Sequence, residues 1–395
     1  MRRSVVGLVM SALAIAGCGG VAMGASAIPG NGASTVKGPV ALSYSVSRVA
    51  DAVDAPKSTF VSVVPACGCS RRTVIAQFSL RTGRRLRTLA RIRTSGTLST
   101  AASDRGGDLW MTFTTGPRLG APPIAGGDPE PGTCTSALVR YDPSNGQATT
   151  VRRFPAWVTV GNAVPSPDGR RVAVLEGGCA SSFFNEHIVV LGVHGGSTVS
   201  IGAGAAPCHS LSDVAWNPSG TELVFPFGPS TLPPSTHFIP RGTCQAPRFS
   251  RLAVVSALRP SEPSGWTLWR AQAHCSYQAA AFGGSDAGGP RNMIAAEACT
   301  TGLPKGSGGS TLGKAYLVRV DRRGRARTRV ALPRAWDGGD VVADPATAQT
   351  LVTESQAANS GVTPHSWVWA FDGRRLRRVA RTGFEDATYF DAQPF

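Results

Sequence analysis

The sequence predicts an all-β fold, a β-propeller of about six (or seven) four-stranded blades over residues 41–395. Three observations lead to this prediction: short apolar runs separated by glycine turns, a repeat of that pattern, and few stretches long enough for a helix. Gly (47) and Pro (29) make up about a fifth of the 395 residues, which favours many short strands and turns. The hydrophobic fraction of 42% supplies enough apolar side chains for a large core.

The repeating unit is a strand, a glycine turn and a second strand, which together predict a β-hairpin. It recurs six times along the chain, at residues 73–89, 137–151, 187–201, 252–269, 315–332 and 367–379. A second hairpin with a Pro or Gly turn precedes three of these units, at residues 163–175, 213–225 and 341–352. Two hairpins per repeat give four strands, which is the size of one propeller blade.

The best preserved turns are Ser-Pro-Asp-Gly at residues 166–169 and Asn-Pro-Ser-Gly at residues 217–220. They resemble the repeats of WD40-like and TolB-like propellers. The resemblance covers the fold across most of residues 41–395 and implies no function. The sequence contains no Gly-His dipeptide and a single Trp-Asp, at residues 336–337, so the repeated signatures of true WD40 repeats are absent.

A propeller ring closes when the two ends of the chain contribute to the same blade, which removes exposed sheet edges. We expect residues 387–390, near the C-terminus, to supply the innermost strand of the first blade. Residues 42–49 are the competing candidate for that position.

Residues 1–18 predict a signal peptide that ends in a lipobox. An apolar stretch at residues 4–16 follows two arginines and is too short to span a bilayer stably. The sequence Ile-Ala-Gly-Cys ending at Cys18 resembles the lipobox of bacterial lipoproteins, in which this thiol receives a diacylglyceryl group. The alternative is an ordinary secretory signal cut after Ala27. We therefore expect an extracytoplasmic protein, held at the cell membrane by lipid or secreted, with residues 19–40 as a flexible tether.

The cysteine count fits an oxidising compartment, because an even number remains once Cys18 is set aside. These eight cysteines are Cys67, Cys69, Cys134, Cys179, Cys208, Cys244, Cys275 and Cys299. Disulfides explain them better than a metal, because the Cys-Gly-Cys spacing at residues 67–69 is too tight for a zinc knuckle. Cys179–Cys208 and Cys275–Cys299 are candidate pairs.

All eight cysteines fall in predicted loops between second and third strands or between blades, so we expect them on one face of the propeller. His209 and His274 adjoin two of them and are expected on the same face. Long loops rich in Pro and Gly also belong there, at residues 116–133, 226–247 and 302–313. Two explanations remain open: this face binds a partner, or its bridges only stabilise a protein exposed outside the cell.

The sequence contains neither a G-x-S-x-G elbow nor an H-E-x-x-H motif, and it predicts no catalytic residue, cofactor or metal. We expect a non-catalytic binding or scaffolding module at the cell surface. Its partner is an unidentified protein or envelope polymer rather than nucleic acid. The alternative is a propeller-fold enzyme, such as a lyase, lactonase or glycan hydrolase. It would require carboxylates or histidines that meet at the axial funnel.

The net charge of +16 comes from 40 basic and 24 acidic residues. The arginines concentrate on predicted outermost strands, around residues 84–87, 323–329 and 374–378. Charged side chains on edge strands resist edge-to-edge aggregation, and we prefer this explanation to a dedicated anion site. An anion-binding role would require these arginines to form one continuous patch.

Overall fold

The computed structural model describes eighteen segments of the chain. They are residues 42, 44–48, 59–65, 72–104, 106–115, 134–156, 158–178, 186–194, 198–202, 210–228, 250–283, 292–300, 312–321, 323–333, 340–343, 350–356, 365–382 and 392–394. The predicted signal peptide with Cys18, the cleavage site after Ala27 and the tether at 19–40 lie outside them. Within the described segments, no helix is long and apolar enough to cross a membrane.

The described strands form six antiparallel sheets, which are the blades of a β-propeller. Blade 1 consists of β1 (Tyr44–Arg48), β2 (Thr59–Pro65), β3 (Arg72–Ser79), β4 (Arg85–Thr94) and the C-terminal β26 (Ala392–Pro394). Blade 2 consists of β5 (Thr97–Ser103), β6 (Leu109–Thr114), β7 (Ser136–Asp142) and β8 (Gln147–Arg153). Blade 3 consists of β9 (Val158–Pro165), β10 (Arg171–Gly178), β11 (His187–Gly192) and β12 (Val199–Ile201).

Blades 4 to 6 repeat the same order of strands. Blade 4 consists of β13 (Ser210–Leu211), β14 (Ala215–Trp216), β15 (Glu222–Gly228), β16 (Arg251–Ser256) and β17 (Thr267–Arg270), with a 3-10 turn at Pro263–Gly265. Blade 5 consists of β18 (Cys275–Phe282), β19 (Met293–Thr300), β20 (Leu312–Val320) and β21 (Ala326–Ala331). Blade 6 consists of β22 (Val341–Ala343), β23 (Thr350–Gln356), β24 (His365–Phe371) and β25 (Leu376–Thr382).

The six predicted hairpins are the third and fourth strands of the six blades, so the glycine repeat identified them correctly. The three predicted preceding hairpins are the first and second strands of blades 3, 4 and 6. Turn glycines such as Gly83, Gly169 and Gly373 have φ values of 67°, 68° and 92°. Only glycine adopts this region without strain, which is why the turns stand out in the sequence.

Ring closure uses both ends of the described chain. Residues 392–394 form β26, which pairs with β2 as the innermost strand of blade 1. A C-terminal segment therefore closes the ring, a few residues after the one predicted. The predicted residues 387–390 themselves lie outside the described segments. The competing segment is wrong as an inner strand, because β1 pairs with the opposite, outer edge of β4 from Tyr44 to Arg48.

The core of the molecule lies between blades rather than within them. Among the described residues, buried apolar side chains form six clusters, one at each boundary between neighbouring blades. At the boundary of blades 3 and 4, for example, Ile188 packs with Phe225 and Trp266. The Trp216 indole also donates a hydrogen bond of 2.8 Å across this boundary to the carbonyl of Val164. Radial stacking therefore buries apolar faces that one sheet could not hide alone.

Candidate binding face

The two faces of the ring differ in which connections they carry. We define the turn face as the side of the hairpin turns from first to second and from third to fourth strands. The loop face carries the connections from second to third strands and between blades. The described cysteines all lie at strand ends on the loop face: Cys275 begins β18, Cys299 is near the end of β19, and Cys134 directly precedes β7. The expectation of a common face therefore holds for these three.

The predicted pair Cys275–Cys299 is confirmed as a disulfide. The two residues stand directly opposite each other in the register of β18 and β19, with their Cα atoms 3.9 Å apart. Cys134 is buried and is also disulfide-bonded. The remaining predicted cysteines, Cys67, Cys69, Cys179, Cys208 and Cys244, lie outside the described segments, as does His209.

His274, the other residue predicted for this face, precedes the disulfide and is exposed. Its φ of 65° places it in the left-handed region, where a non-glycine residue is uncommon. The turn that contains it is closed by the Cys275 amide, which donates a hydrogen bond of 3.0 Å to the Gln272 carbonyl. The structure thus brings His274 and the disulfide together at the edge of blade 5.

Arg329 was not predicted for this face, yet its guanidinium lies beside the disulfide. It comes from β21, the outermost strand of blade 5, and its Nη2 is 3.0 Å from the Sγ atom of Cys299. Its Nη1 donates to the side-chain carbonyl of Gln272 at 2.8 Å. The guanidinium carbon also stands 3.6 Å from the ring centroid of Tyr316, in a cation–π contact.

Glu297 is the charge that holds Arg329 in place. This glutamate is only 1% exposed, and its Oε2 lies 3.1 Å from the Arg329 Nη2. Its Oε1 accepts a hydrogen bond of 3.1 Å from the backbone amide of Gln272. A buried carboxylate is costly without such partners, so the pair explains how a glutamate is accommodated inside an apolar strand.

Tyr277 completes the buried side of this cluster. Burial raises the pKa of its phenol, and the negative charge of Glu297 raises that pKa further. Its hydroxyl donates to the carbonyl of Arg270 at 3.4 Å. The phenol therefore stays neutral throughout the physiological range and acts as a hydrogen-bond donor.

The cluster has a limited chemical repertoire. Ligand atoms of Cys275, Glu297 and Cys299 lie within 4.8 Å of one another, a spacing that could hold a metal ion. The two sulfurs are bonded to each other, however, and thiolates rather than disulfides bind metals. The Arg329 guanidinium also occupies the space between the carboxylate and the sulfur, where its charge repels a cation. The arrangement suits a rigid, cross-linked edge better than a metal centre.

Two polar groups outside blade 5 lie on inner or second strands. Asp213 interrupts the inner strand of blade 4 between β13 and β14 with a φ of 24°, and it accepts a hydrogen bond of 2.5 Å from Asn162 of blade 3. Glu176 of blade 3 is buried, and its Oε2 lies 3.3 Å from the Nε2 of His187. Among the side chains that the structure describes, neither of these carboxylates belongs to a group of three or more His, Cys, Asp or Glu at metal-ligand spacing. Within the described residues, one such group exists, which is the disulfide cluster of blade 5.

The pattern of alternation could have indicated Glu297. In a strand, residues two apart point to the same face, so Glu297 and Cys299 belong together in the apolar run of β19. Arg329 could not have been found in this way, because apart from Tyr316 on β20 its partners come from β18, β19 and the segment before β18. Only the register of the whole blade brings them together.

Comparisons with known proteins find only distant structural similarity. No family model and no curated protein matches the chain. Among solved structures, it is similar to hydrazine synthase from Kuenenia stuttgartiensis, at 12% identity and a TM-score of 0.42, over 76% of this chain and 71% of that one. It is also similar to Pyrococcus horikoshii acylaminoacyl peptidase, at 11% identity and a TM-score of 0.41, over 72% of this chain.

The chain spans 39% of that peptidase's length. A third similar structure is an oligogalacturonate lyase in complex with manganese, at 13% identity and a TM-score of 0.39, over 77% of this chain and 72% of the lyase. Identities and TM-scores this low carry no argument about activity, substrate or metal. The class that remains is a β-propeller with four-stranded blades.

Proposed function

We propose that this protein is an exported, lipid-anchored β-propeller whose loop face binds an envelope partner without catalysing a reaction. The observation that carries the proposal is the Cys275–Cys299 disulfide on the loop face. Disulfides form and persist outside the reducing cytoplasm, which agrees with the lipobox expected at Cys18.

The chemistry of the described loop face supports binding rather than catalysis. Glu297 is neutralised by Arg329, and Glu176 lies beside His187. A catalytic carboxylate needs access to substrate, whereas Glu297 is buried beneath a guanidinium and a disulfide. Rigid, cross-linked strand ends lose little conformational entropy when a partner binds, which favours recognition.

The partner we expect is a protein or a polymer of the cell envelope. Site-specific photo-crosslinkers at two exposed positions test this expectation on intact cells. His274 reports on the loop face and Arg323, in the turn after β20, reports on the turn face. We expect one discrete adduct from the His274 position and none from Arg323. Equal labelling of both faces, or of neither, would contradict the proposal.

The compartment is tested separately. We expect metabolic labelling with a radioactive fatty acid to mark the protein, and Cys18→Ser to abolish the label and release the chain from the membrane fraction. Thiol alkylation of intact cells should leave Cys275 and Cys299 unmodified until a reductant is added. A protein in the cytoplasmic fraction with free thiols would overturn both parts of the proposal.

The alternative, a propeller enzyme acting at the axial funnel, rests on one observation. Asp213 is a half-buried carboxylate on an interrupted inner strand, bound to Asn162 of the neighbouring blade. If the protein is a lyase, lactonase or glycan hydrolase, Asp213→Asn should abolish turnover of envelope glycans or lactones while the fold is retained. Unchanged turnover in this variant, or none in the wild type, would leave the binding role as the better account.

A further inference from the structure

Two arginine-bearing turns meet on the turn face, at the boundary between blades 6 and 1. The turn between β3 and β4 belongs to blade 1, and the turn between β24 and β25 belongs to blade 6. Arg377 of blade 6 donates a hydrogen bond of 3.4 Å from Nη2 to the carbonyl of Leu80 in blade 1. Leu80 and Phe78 also pack with Val379 in the apolar cluster of this boundary. The two turns are therefore direct neighbours.

These turns carry a concentrated positive charge, which we name the arginine patch. Its members are exposed arginines on both turns and at the first position of β4: Arg81, Arg84, Arg85, Arg374 and Arg375. Within the described segments, none of the five belongs to an ion pair. The sequence left open whether arginines gather or scatter, and at this boundary two arginine-bearing turns are neighbours.

The acid in these turns does not neutralise the patch. Asp372 follows β24, and one of its oxygens accepts hydrogen bonds from the backbone amides of Arg374 and Arg375, at 2.8 and 2.7 Å. These bonds lower the pKa of the carboxyl group and fix it in the turn. The guanidinium groups of both arginines remain exposed, so five positive charges stand against one negative charge.

An exposed leucine lies within the patch. Leu86 is 43% exposed and stands next to Arg85 at the start of β4. Large apolar side chains this exposed are rare in the described segments, where Leu258 in blade 4 is the other example, at 46%. Basic residues around an exposed apolar side chain are typical of surfaces that bind the headgroup region of a membrane, because the charges meet anionic lipids while the apolar group enters the interface. A soluble anionic polymer would make no use of the leucine.

The chain enters the propeller at the same blade. The first described strand, β1, forms the outer edge of blade 1 and pairs with β4, the strand that carries Arg85 and Leu86. The expected anchor at Cys18 and the tether at residues 19–40 precede this strand in sequence. The first residue of β1, Tyr44, pairs with Thr94 at the loop-face end of β4, so a flexible tether at residues 19–40 is needed for the turn face to reach the bilayer.

We propose that the arginine patch and Leu86 dock the turn face on a bilayer that contains anionic phospholipid. The orientation leaves the loop face, with its disulfide, directed away from the membrane. This inference rests on the proposed function in one respect, the presence of a membrane near the exported chain. The docking contact itself requires no lipid anchor.

Vesicle binding by the full chain with Cys18→Ser tests the inference, because no acyl chain can be attached to this variant. The vesicles contain phosphatidylcholine alone or with a third of phosphatidylglycerol. The test variant is Arg374→Ser/Arg375→Ser, and the matched control is Arg323→Ser/Arg325→Ser. The control turn has the same design, since Asp321 accepts the amides of Arg323 and Arg325 at 2.8 and 3.0 Å, but it belongs to blade 5. Any contribution from the N-terminal segment is common to all variants.

We expect the Arg374/Arg375 variant to bind anionic vesicles about 25-fold more weakly, since each basic side chain at an anionic surface contributes about fivefold in affinity. The control should change by less than about threefold, and high salt should remove most of the difference. A second pair compares Leu86→Ser with Leu258→Ser, of which only the first should weaken binding. Matching thermal unfolding midpoints would show that all variants are folded.

Three outcomes would overturn the inference. The first is an equal loss of binding in the test and control doubles, which would mean that net charge alone acts. The second is equal binding to zwitterionic and anionic vesicles. The third is a Leu86→Ser variant that binds normally while soluble polyphosphate competes fully with vesicles, which would identify an anionic polymer as the partner. None of these outcomes bears on the fatty-acid label at Cys18, so the failure of this inference is distinguishable from the failure of the proposed function.

Discussion

The turns between the third and fourth strands of blades 5 and 6 have the same local hydrogen bonds, but the arginines that follow them make different contacts. In both, an aspartate at the end of the third strand accepts backbone amides from two arginines in the turn. In blade 5 the following strand arginines turn back to the protein: Arg327 lies 2.6 Å from Asp321, and Arg329 reaches Glu297 and the disulfide. In blade 6, Arg378 is exposed opposite Trp369, on the side of the sheet that faces blade 5, and Arg374 and Arg375 lie in the turn at the boundary with blade 1.

The difference shows that the arginines of an edge strand can have different structural roles in different blades. A protective edge role explains neither Arg329, which compensates a buried glutamate, nor the patch at the boundary of blades 6 and 1. What decides the role is what the nearby strands supply: β19, two strands away from β21, offers a carboxylate in blade 5, whereas blade 1 offers more arginines next to blade 6. Strand β1 contributes to this difference. It pairs with residues 90–94 of β4 and leaves the first residues of β4, with their arginines, as an unpaired outer edge.

Removal of the disulfide should have the largest effect on the internal arrangement of blade 5. The bridge joins residues 24 positions apart, and its loss in Cys275→Ser/Cys299→Ser should destabilise the protein by about 3 kcal/mol. Urea unfolding measures this loss. The loss of stability that a reductant causes should be larger in the wild type than in the double variant, which has no Cys275–Cys299 bridge to lose. Equal stability of wild type and variant would mean that the bridge does not constrain the unfolded chain.

Replacement of one strand arginine in each blade by alanine tests the difference between blades 5 and 6 directly. Arg329→Ala leaves the Glu297 carboxylate buried with only the Gln272 amide as partner, and we expect a loss of about 2 kcal/mol. The estimate lies below the full cost of breaking a buried pair, because the Arg329 side chain is 29% exposed. Arg378→Ala, its solvent-facing counterpart, should change stability by less than about 0.5 kcal/mol. Similar losses in the two variants would refute the distinction drawn between the blades.

The turn of blade 5 is also packed more tightly than an open propeller turn. Gly324 has a φ of 74°, and a Cβ atom there would lie 1.7 Å from Cδ1 of Trp269 in blade 4. Gly169 has a φ of 68° with nothing within 4 Å. Both alanine variants should lose about 1 kcal/mol to backbone strain, and Gly324→Ala about 1–2 kcal/mol more to displacement of the indole. Thermal unfolding of both variants would measure the extra cost, and equal losses would show that the indole moves freely.

The sequence predicted the strands well because their signals are local. Turn glycines with positive φ, such as Gly83 and Gly373, and the apolar runs beside them identify each hairpin without any long-range information. The pair Cys275–Cys299 was also within reach, because one blade contains both residues. The position of residues 44–48 was not, since an edge strand pairs equally well on either side of a sheet until the C-terminal strand occupies the inner one.

The candidate sites depend on contacts between segments far apart in the chain, which local patterns do not reveal. Arg377 and Leu80 are in contact although blade 1 begins the ring and blade 6 ends it. Closure of the ring by β26 is what makes their blades neighbours. The arginine patch is therefore a product of the fold, whereas its charge is visible in the sequence.

The smallest effect we predict concerns the two turn aspartates. Backbone hydrogen bonds, the strongest from Arg325 and Arg375, lower the pKa values of Asp321 and Asp372 below the ordinary value of 3.8. Each carboxylate therefore contributes stability above about pH 4 that is lost as the pH falls through its lowered pKa. Asp321→Asn and Asp372→Asn should each lower the urea midpoint slightly at pH 7, and the gap from the wild type should close as the carboxyl groups become protonated in acid.

Vesicle binding then separates the two aspartates. Asp372→Asn removes the acid beside the arginine patch and should strengthen binding to anionic vesicles by up to about fivefold. Asp321→Asn removes the same charge from blade 5, and binding should change little. If both variants gained affinity equally, the turn of blade 6 would have no special relation to the membrane, and the contrast between the two blades would be one of stability alone.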